Sequence, residues 1–207
     1  MLLCSGGCRS GKSEFAQQWV EERGPTRVYL ATAYGPPCFE PGFGPGSGPG
    51  PDRVPDLDPD FDPDFDPDFE MTSRIAKHRA ARGPGWATFE VAASPSWAEP
   101  DIWVPEAARL GDALLLDCLT LWTSLCLERG DVEETLLART RNLLAALTAT
   151  GKPVAVVTNE VGMGIVPATP LGRAFRDMAG LVNQEAAKVA NTVVFMVSGL
   201  PLYVKGR

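Results

Sequence analysis

Eight residues near the start of the chain, Gly6, Gly7, Cys8, Arg9, Ser10, Gly11, Lys12 and Ser13, match GxxxxGK[ST] at every required position. Glycines at this spacing let the backbone curl so that successive N–H groups point inward, a cradle for phosphate oxygens. A helix opening near Lys12 adds the positive end of its dipole. In such a cradle the Lys12 ammonium reaches the β and γ oxygens of a nucleoside triphosphate, and the Ser13 hydroxyl ligates Mg²⁺. A glycine turn with an incidental Lys-Ser pair is the alternative. The flanking context favours the cradle, because "LLCS" (2–5) reads as a short strand and 11–23 as a helix. The loop leaves the reaction open, since kinases, GTPases and ATPases share it.

Three further positions carry chemistry. In "LLLDC" (114–118), Asp117 ends an apolar run, where a carboxylate holds Mg²⁺ directly or through water, or else caps the following helix. In "NEVGMG" (159–164), Glu160 stands at a strand end with Gly162 and Gly164 behind it. It can orient a substrate hydroxyl or Mg²⁺, or cap its loop. The third is His78, the only histidine. Arg74, His78 and Arg82 fall at i, i+4 and i+8, one side of a helix, with Lys77 and Arg79 beside them. A solvated basic helix is one reading. The other is an imidazole held neutral by surrounding cations, a nucleophile toward phosphorus with guanidinium groups ready for the developing charge.

The elements that must position these residues are legible from hydrophobic runs. Residues 27–32, 112–118, 153–160 and 191–199 are continuously apolar, the pattern of strands buried on both faces of a parallel sheet. Helical stretches fall at 11–23, roughly 72–82, 131–150 and 171–189. In 131–150, Leu136, Leu137, Thr140, Leu143, Leu144 and Leu147 keep the 3–4 spacing of a one-sided helix. The alternation predicts an α/β doubly wound domain spanning 1–207. One segment departs from it. Residues 36–71 are Gly/Pro-rich and then repeat Asp-Pro-Asp-Phe three times from Asp58. Proline at every fourth position forbids a stable helix and blocks strand ladders. A mobile, extended insertion is expected there. Collection of divalent cations by the repeated aspartates is the functional alternative.

Composition narrows the partners. The 207 residues are 44% hydrophobic, ample for one core, and carry a net charge of −7. That charge is local. Residues 52–70 hold nine acids and Arg53, which leaves 17 acidic and 18 basic residues elsewhere, a net +1. No nucleic-acid surface is implied. Five cysteines, an odd number with no CxxC, read as reduced thiols of a cytoplasmic protein. The loop glycines begin at Gly6, too early for a leader's apolar core. The most apolar run, 113–127, is too short for a membrane span and carries Asp117.

Taken in order, "GGCRSGKSEFA" (6–16), "VYLATA" (28–33), "RIAKHRAARGPGW" (74–86), "LLLDCLTLW" (114–122), "VTNEVGMGIVP" (157–167), "GRAFRDMAGLVNQ" (172–184) and "VSGLPL" (197–202) resemble the bifunctional cobinamide kinase / cobinamide-phosphate guanylyltransferases of cobalamin biosynthesis. The resemblance covers most of the chain outside 36–71, and "TNEVGMGIVP" and "FRDMAGLVNQ" are its most discriminating blocks. It implies a P-loop, RecA-like, mostly parallel sheet with helices on both faces, assembled as a homotrimer. It also implies two reactions. GTP or ATP phosphorylates the aminopropanol hydroxyl of adenosylcobinamide. GTP then guanylylates a histidine, releasing pyrophosphate, and the GMP passes to adenosylcobinamide phosphate to give adenosylcobinamide-GDP.

The family's guanylylated histidine falls on His78. Its nucleotide-binding positions fall on Gly6 to Ser13, on Ala31, Thr32 and Ala33, on Arg79, Ala80, Ala81 and Arg82, and on Glu90 and Asp117. Passing a nucleotidyl group through histidine splits one displacement at phosphorus into two, and spares the direct encounter of two polyanions. Three departures stand out: a first strand of only a few residues, Cys8 where alanine is usual, and the length of 36–71. A P-loop kinase without the transferase step, or a nucleotide-binding regulator without chemistry, remain the alternatives.

Overall fold

A computed structural model describes residues 1–33 and 82–206. The segment expected to be an insertion (36–71), most of the helix expected at 72–82, and with it His78, Arg79, Ala80 and Ala81, lie outside the described residues. The compact body runs through Met1–Ala33 and Gly85–Arg207.

Seven strands form one sheet: β1 (Leu2–Gly6), β2 (Arg27–Ala31), β3 (Trp86–Glu90), β4 (Ala113–Asp117), β5 (Val154–Val157), β6 (Thr192–Val197) and β7 (Leu200–Lys205). Their order is β3-β2-β4-β5-β1-β6-β7, and every pairing is parallel except β6 with β7. The α-helices are α1 (Lys12–Glu21), α2 (Pro100–Ala108), α3 (Leu119–Glu128), α4 (Glu133–Ala149) and α5 (Pro170–Val189).

The continuous apolar runs have the expected cause: both faces of the inner strands are covered. Leu3, Leu30, Leu114, Leu116 and Val156 point to one face, where Trp103, Trp122, Leu136, Leu143 and Val182 of α2–α5 pack against them. Leu2, Cys4, Leu115, Ala155 and Val157 point to the other, against Ala16 and Val20 of α1. Burying a Leu or Val side chain in such a core contributes about 1.5–3 kcal/mol. In α4 the predicted stripe is buried at Leu136, Thr140, Leu143, Leu144 and Leu147, and Leu137 sits at its margin. Thr140 is tolerated there because its hydroxyl accepts a hydrogen bond from the Trp122 indole at 3.2 Å.

The first strand is longer than its sequence suggested, because Gly6 still pairs in register with Met196 of β6. Three elements escaped the periodicity reading. Strand β3 and helix α2 were not singled out: β3 carries no continuous apolar run, and α2 holds an internal Pro105. The run 191–199 also does not end as one strand. Ser198 (φ 51°) and Gly199 (φ 83°) turn it back into β7, both with the left-handed backbone that a tight two-residue hairpin demands. All six residues of β7 are exposed, and Leu200, Leu202, Tyr203 and Val204 leave a bare apolar edge. Among the described residues no helix is long and apolar enough to cross a membrane.

Candidate functional site

The phosphate cradle is assembled by backbone geometry. Gly6 (φ 155°), Arg9 (φ 54°) and Gly11 (φ 89°) break the strand and wind the loop before α1 begins at Lys12. Gly6 admits no side chain: a Cβ there would lie 2.7 Å from Ser10 Oγ and 2.8 Å from the Met196 carbonyl oxygen. The β6–β7 turn braces the loop from outside, with the Gly199 amide donating to the Ser10 carbonyl at 3.0 Å. Gly7, Cys8 and Arg9 are exposed. Lys12 is buried and donates from Nζ to the Gly7 carbonyl at 2.7 Å, so the loop folds around its own cation. The Ser10 hydroxyl is buried and finds no partner among the described residues. Ser13, half-buried, lies in the first turn of α1.

Register brings the other candidates to the same edge. Ala31 pairs with both Glu90 and Asp117, Asp117 with Val157, and Val157 with Cys4. These residues form one row, at the carboxyl ends of β3, β2, β4 and β5 and two residues short of the end of β1, on the side where α/β sheets bind ligands. Asp117 does not cap α3. The cap residue is Cys118, with no side-chain hydrogen bond, and Asp117 Oδ2 instead accepts from the Tyr29 hydroxyl at 3.1 Å. Thr32 is fully buried and its hydroxyl is committed to the Cys118 peptide, accepting from the nitrogen (2.6 Å) and donating to the oxygen (2.8 Å). Ala31 is buried, and Ala33 and Glu90 are half-buried. Of Arg79, Ala80, Ala81 and Arg82 only Arg82 is among the described residues, half-buried.

Cys4 reports on the charges around the cradle. Burial pushes its thiol up to about 12, against an opposing pull from Lys12 and in concert with Asp117. Burial likewise raises Cys118 to about 11, and Asp117 next to it adds to the effect. Both thiols stay protonated at neutral pH, since the burial that raises them disfavours the thiolate. Among the described cysteines only Cys8, in the loop, is exposed.

Glu160 leads into a short 3₁₀ turn (Val161–Met163) without capping it through its side chain. Its amide donates to the Gly6 carbonyl at 3.2 Å, which docks the β5 exit on the start of the cradle. Its carboxylate accepts from Asn183 Nδ2 at 3.3 Å. Neither Asn183 nor its neighbours Thr120 and Thr158 emerged as functional from the sequence. A signal existed for Asn183. It shares the buried stripe of α5 with Ala179, Val182 and Ala186, and a polar residue on a buried face is the informative kind of exception.

The model of the family described as "Cobinamide kinase / cobinamide phosphate guanyltransferase" matches residues 2–36 and 63–204. The chain is 31% identical over 217 residues to the bifunctional adenosylcobalamin biosynthesis protein CobU of Escherichia coli, covering 99% of each. It is 34% identical over 204 residues to the bifunctional adenosylcobalamin biosynthesis protein CobP of Pseudomonas aeruginosa, covering 99% of this chain and 96% of that one. A solved KaiC-like protein, PH0186 of Pyrococcus horikoshii, is 12% identical with a TM-score of 0.48, over all of this chain and 78% of that one. The cradle, the strand-end row and the match along nearly the whole chain lead to one assignment: the chain belongs to the cobinamide kinase / cobinamide phosphate guanyltransferase family, the bifunctional enzymes of adenosylcobalamin biosynthesis.

Proposed function

We propose that both reactions draw on the one cradle, with GTP or ATP as phosphate donor to adenosylcobinamide and GTP as source of the GMP passed through His78. The observation that carries this is the wound loop closed around Lys12. Bound phosphate would replace the Gly7 carbonyl as partner of its ammonium. The buried Ser10 hydroxyl, without a partner among the described residues, suits a phosphate oxygen. Ser13 and Asp117 offer a hydroxyl and a carboxylate, the hard oxygen donors that Mg²⁺ takes. Bound there, the ion would neutralise charge building on the phosphates.

In the kinase step Glu160 orients the substrate hydroxyl. Its oxygen bonds to the γ-phosphorus, its proton passes to the Glu160 carboxylate, and the bridging P–O bond breaks to release the nucleoside diphosphate. In the transferase step His78 bonds to the α-phosphorus and pyrophosphate leaves. The Arg79–Arg82 segment and Glu90 complete the nucleotide contacts.

Radiolabel separates the steps. Label from [α-³²P]GTP should stay on the protein under alkali and be lost in acid. His78→Ala should lose that adduct while still phosphorylating adenosylcobinamide. An acid-labile adduct on the His78→Ala protein would refute the histidine assignment, because the chain has no second histidine. We further propose a cytoplasmic homotrimer. The bare apolar edge of β7 supports burial against another copy, since exposed apolar patches of this kind mark interfaces. Sedimentation at the mass of a single 22.2 kDa chain would overturn the trimer.

A further inference from the structure

Helix α5 contributes a side chain that neither reaction has used so far. Asn183 is buried, and each end of its amide is engaged. Its Oδ1 accepts from the Thr158 hydroxyl at 2.6 Å. Its Nδ2 donates to the Asn159 carbonyl at 3.0 Å and to Glu160 Oε1 at 3.3 Å. This pattern allows one orientation of the amide: flipped, its oxygen would face a carbonyl and a carboxylate, neither of which can donate. The lock extends further. The Thr158 proton is committed to Asn183, so in the 3.4 Å contact between the two hydroxyls Thr120 is the donor. The Thr120 oxygen in turn accepts from the Asn159 amide at 2.9 Å and from Asn159 Nδ2 at 3.2 Å. Three elements, the start of α3, the exit of β5 and the middle of α5, are thus tied together at the residue that precedes Glu160. From there the Glu160 amide reaches the Gly6 carbonyl, the first residue of the cradle.

A carboxylate that must meet a hydroxyl beside a γ-phosphate needs its position held to a fraction of an ångström. Glu160 is half-buried, at the head of a loop in which Val161 is half-buried and Gly162 to Val166 are exposed, so its own backbone does not hold its side chain. We propose that Asn183 is a positioning residue of the kinase step: it holds the Glu160 carboxylate in place relative to the phosphate cradle, and through it the substrate hydroxyl. This rests on the reading of Glu160 given above. It explains why a helix otherwise packed by small apolar side chains carries a buried amide.

The test measures both reactions in the same preparations of the full chain. γ-Phosphoryl transfer to adenosylcobinamide reports the first, and GMP retained on the protein from [α-³²P]GTP reports the second. Asn183→Ala is expected to lower kinase kcat by about tenfold or more, with the KM for nucleotide changed by less than about twofold. The ratio of kinase to guanylylation rate should fall by the same tenfold. Glu160→Gln is expected to lower the kinase rate at least as far, and the double variant should be no slower than Glu160→Gln alone, because Asn183 acts through that carboxylate. Equal loss of both reactions in Asn183→Ala would make it a packing residue and overturn the proposal. Multiplied losses in the double variant would also overturn it. A fully active Glu160→Gln enzyme would instead remove the reading of Glu160 itself. If Asn183→Ala does not fold, Thr158→Val serves. It deletes only the hydroxyl that locks the amide, and a kinase-to-guanylylation ratio unchanged from the parent protein would count against the proposal.

Discussion

The phosphate loop and the β5 exit lie side by side, joined by the Glu160–Gly6 hydrogen bond, yet they are built by opposite means. The loop is a backbone device. Its shape comes from three positive φ angles in six residues, its Lys12 ammonium is held by the loop's own Gly7 carbonyl, and its Ser10 Oγ is buried without a partner among the described residues. The β5 exit is a side-chain device. Thr120, Thr158, Asn159 and Asn183 satisfy one another across three elements. The first leaves a buried hydroxyl without a partner among the described residues, and the second is satisfied within the protein. On the proposed reading, in which both reactions draw on one cradle, the backbone loop serves the shared part and the side-chain network supports what distinguishes one acceptor from the other.

The largest effect should come from the shared device. Lys12→Ala is expected to lower both reactions by ~10³-fold or more, as for loss of a main charge donor to phosphate. A variant that phosphorylates adenosylcobinamide at the parent rate would show that the loop does not hold the donor nucleotide. Next comes Asp117→Asn, which should raise the Mg²⁺ needed for half-maximal turnover and slow both reactions by ~10²-fold while leaving the melting temperature close to that of the parent. An unmoved Mg²⁺ titration would reduce Asp117 to a partner of Tyr29.

The smallest and most direct comparison is thermodynamic and needs no ligand. Thr158→Val strands the Asn183 acceptor in the interior and should cost about 1–3 kcal/mol of unfolding free energy. Ser10→Ala removes a buried hydroxyl with no bond to lose and should stay within ~0.5 kcal/mol of the parent protein. Equal losses in chemical denaturation would erase the distinction between a finished and an unfinished polar site.

Legibility divides along the same line. The cradle, the strands through Leu30, Leu116 and Val156, and the α4 stripe could all be read from the chain. In each, one residue's neighbours in sequence carry the information: glycines set φ, continuous apolar runs mark strands covered on two faces, and the 3–4 spacing marks a helix covered on one. Asp117 was legible as a carboxylate at a strand end; Glu160, read at the end of a strand over 153–160, instead lies three residues past β5, which stops at Val157, and both roles were left open between cap and ligand. The partners that remove the capping alternative, Tyr29 for Asp117 and Asn183 for Glu160, lie 88 and 23 residues away along the chain. Strand β3 and helix α2 were hidden because neither has the continuous or periodic apolar pattern that local reading relies on.

By itself the sequence determined the local geometry of the phosphate loop, the alternation of strands and helices, and the family, because φ preferences, hydrophobic periodicity and ordered motifs are written in neighbouring residues. Only the tertiary structure decided which strand ends share a row, that the last apolar run doubles back as β7, that Thr32 spends its hydroxyl on the Cys118 peptide, and that Asn183 faces Glu160. Those outcomes depend on sheet order and on hydrogen bonds between residues far apart in the chain. Such bonds exist only once the packed layers bring the groups within about 3 Å of each other and exclude the water that would otherwise satisfy them.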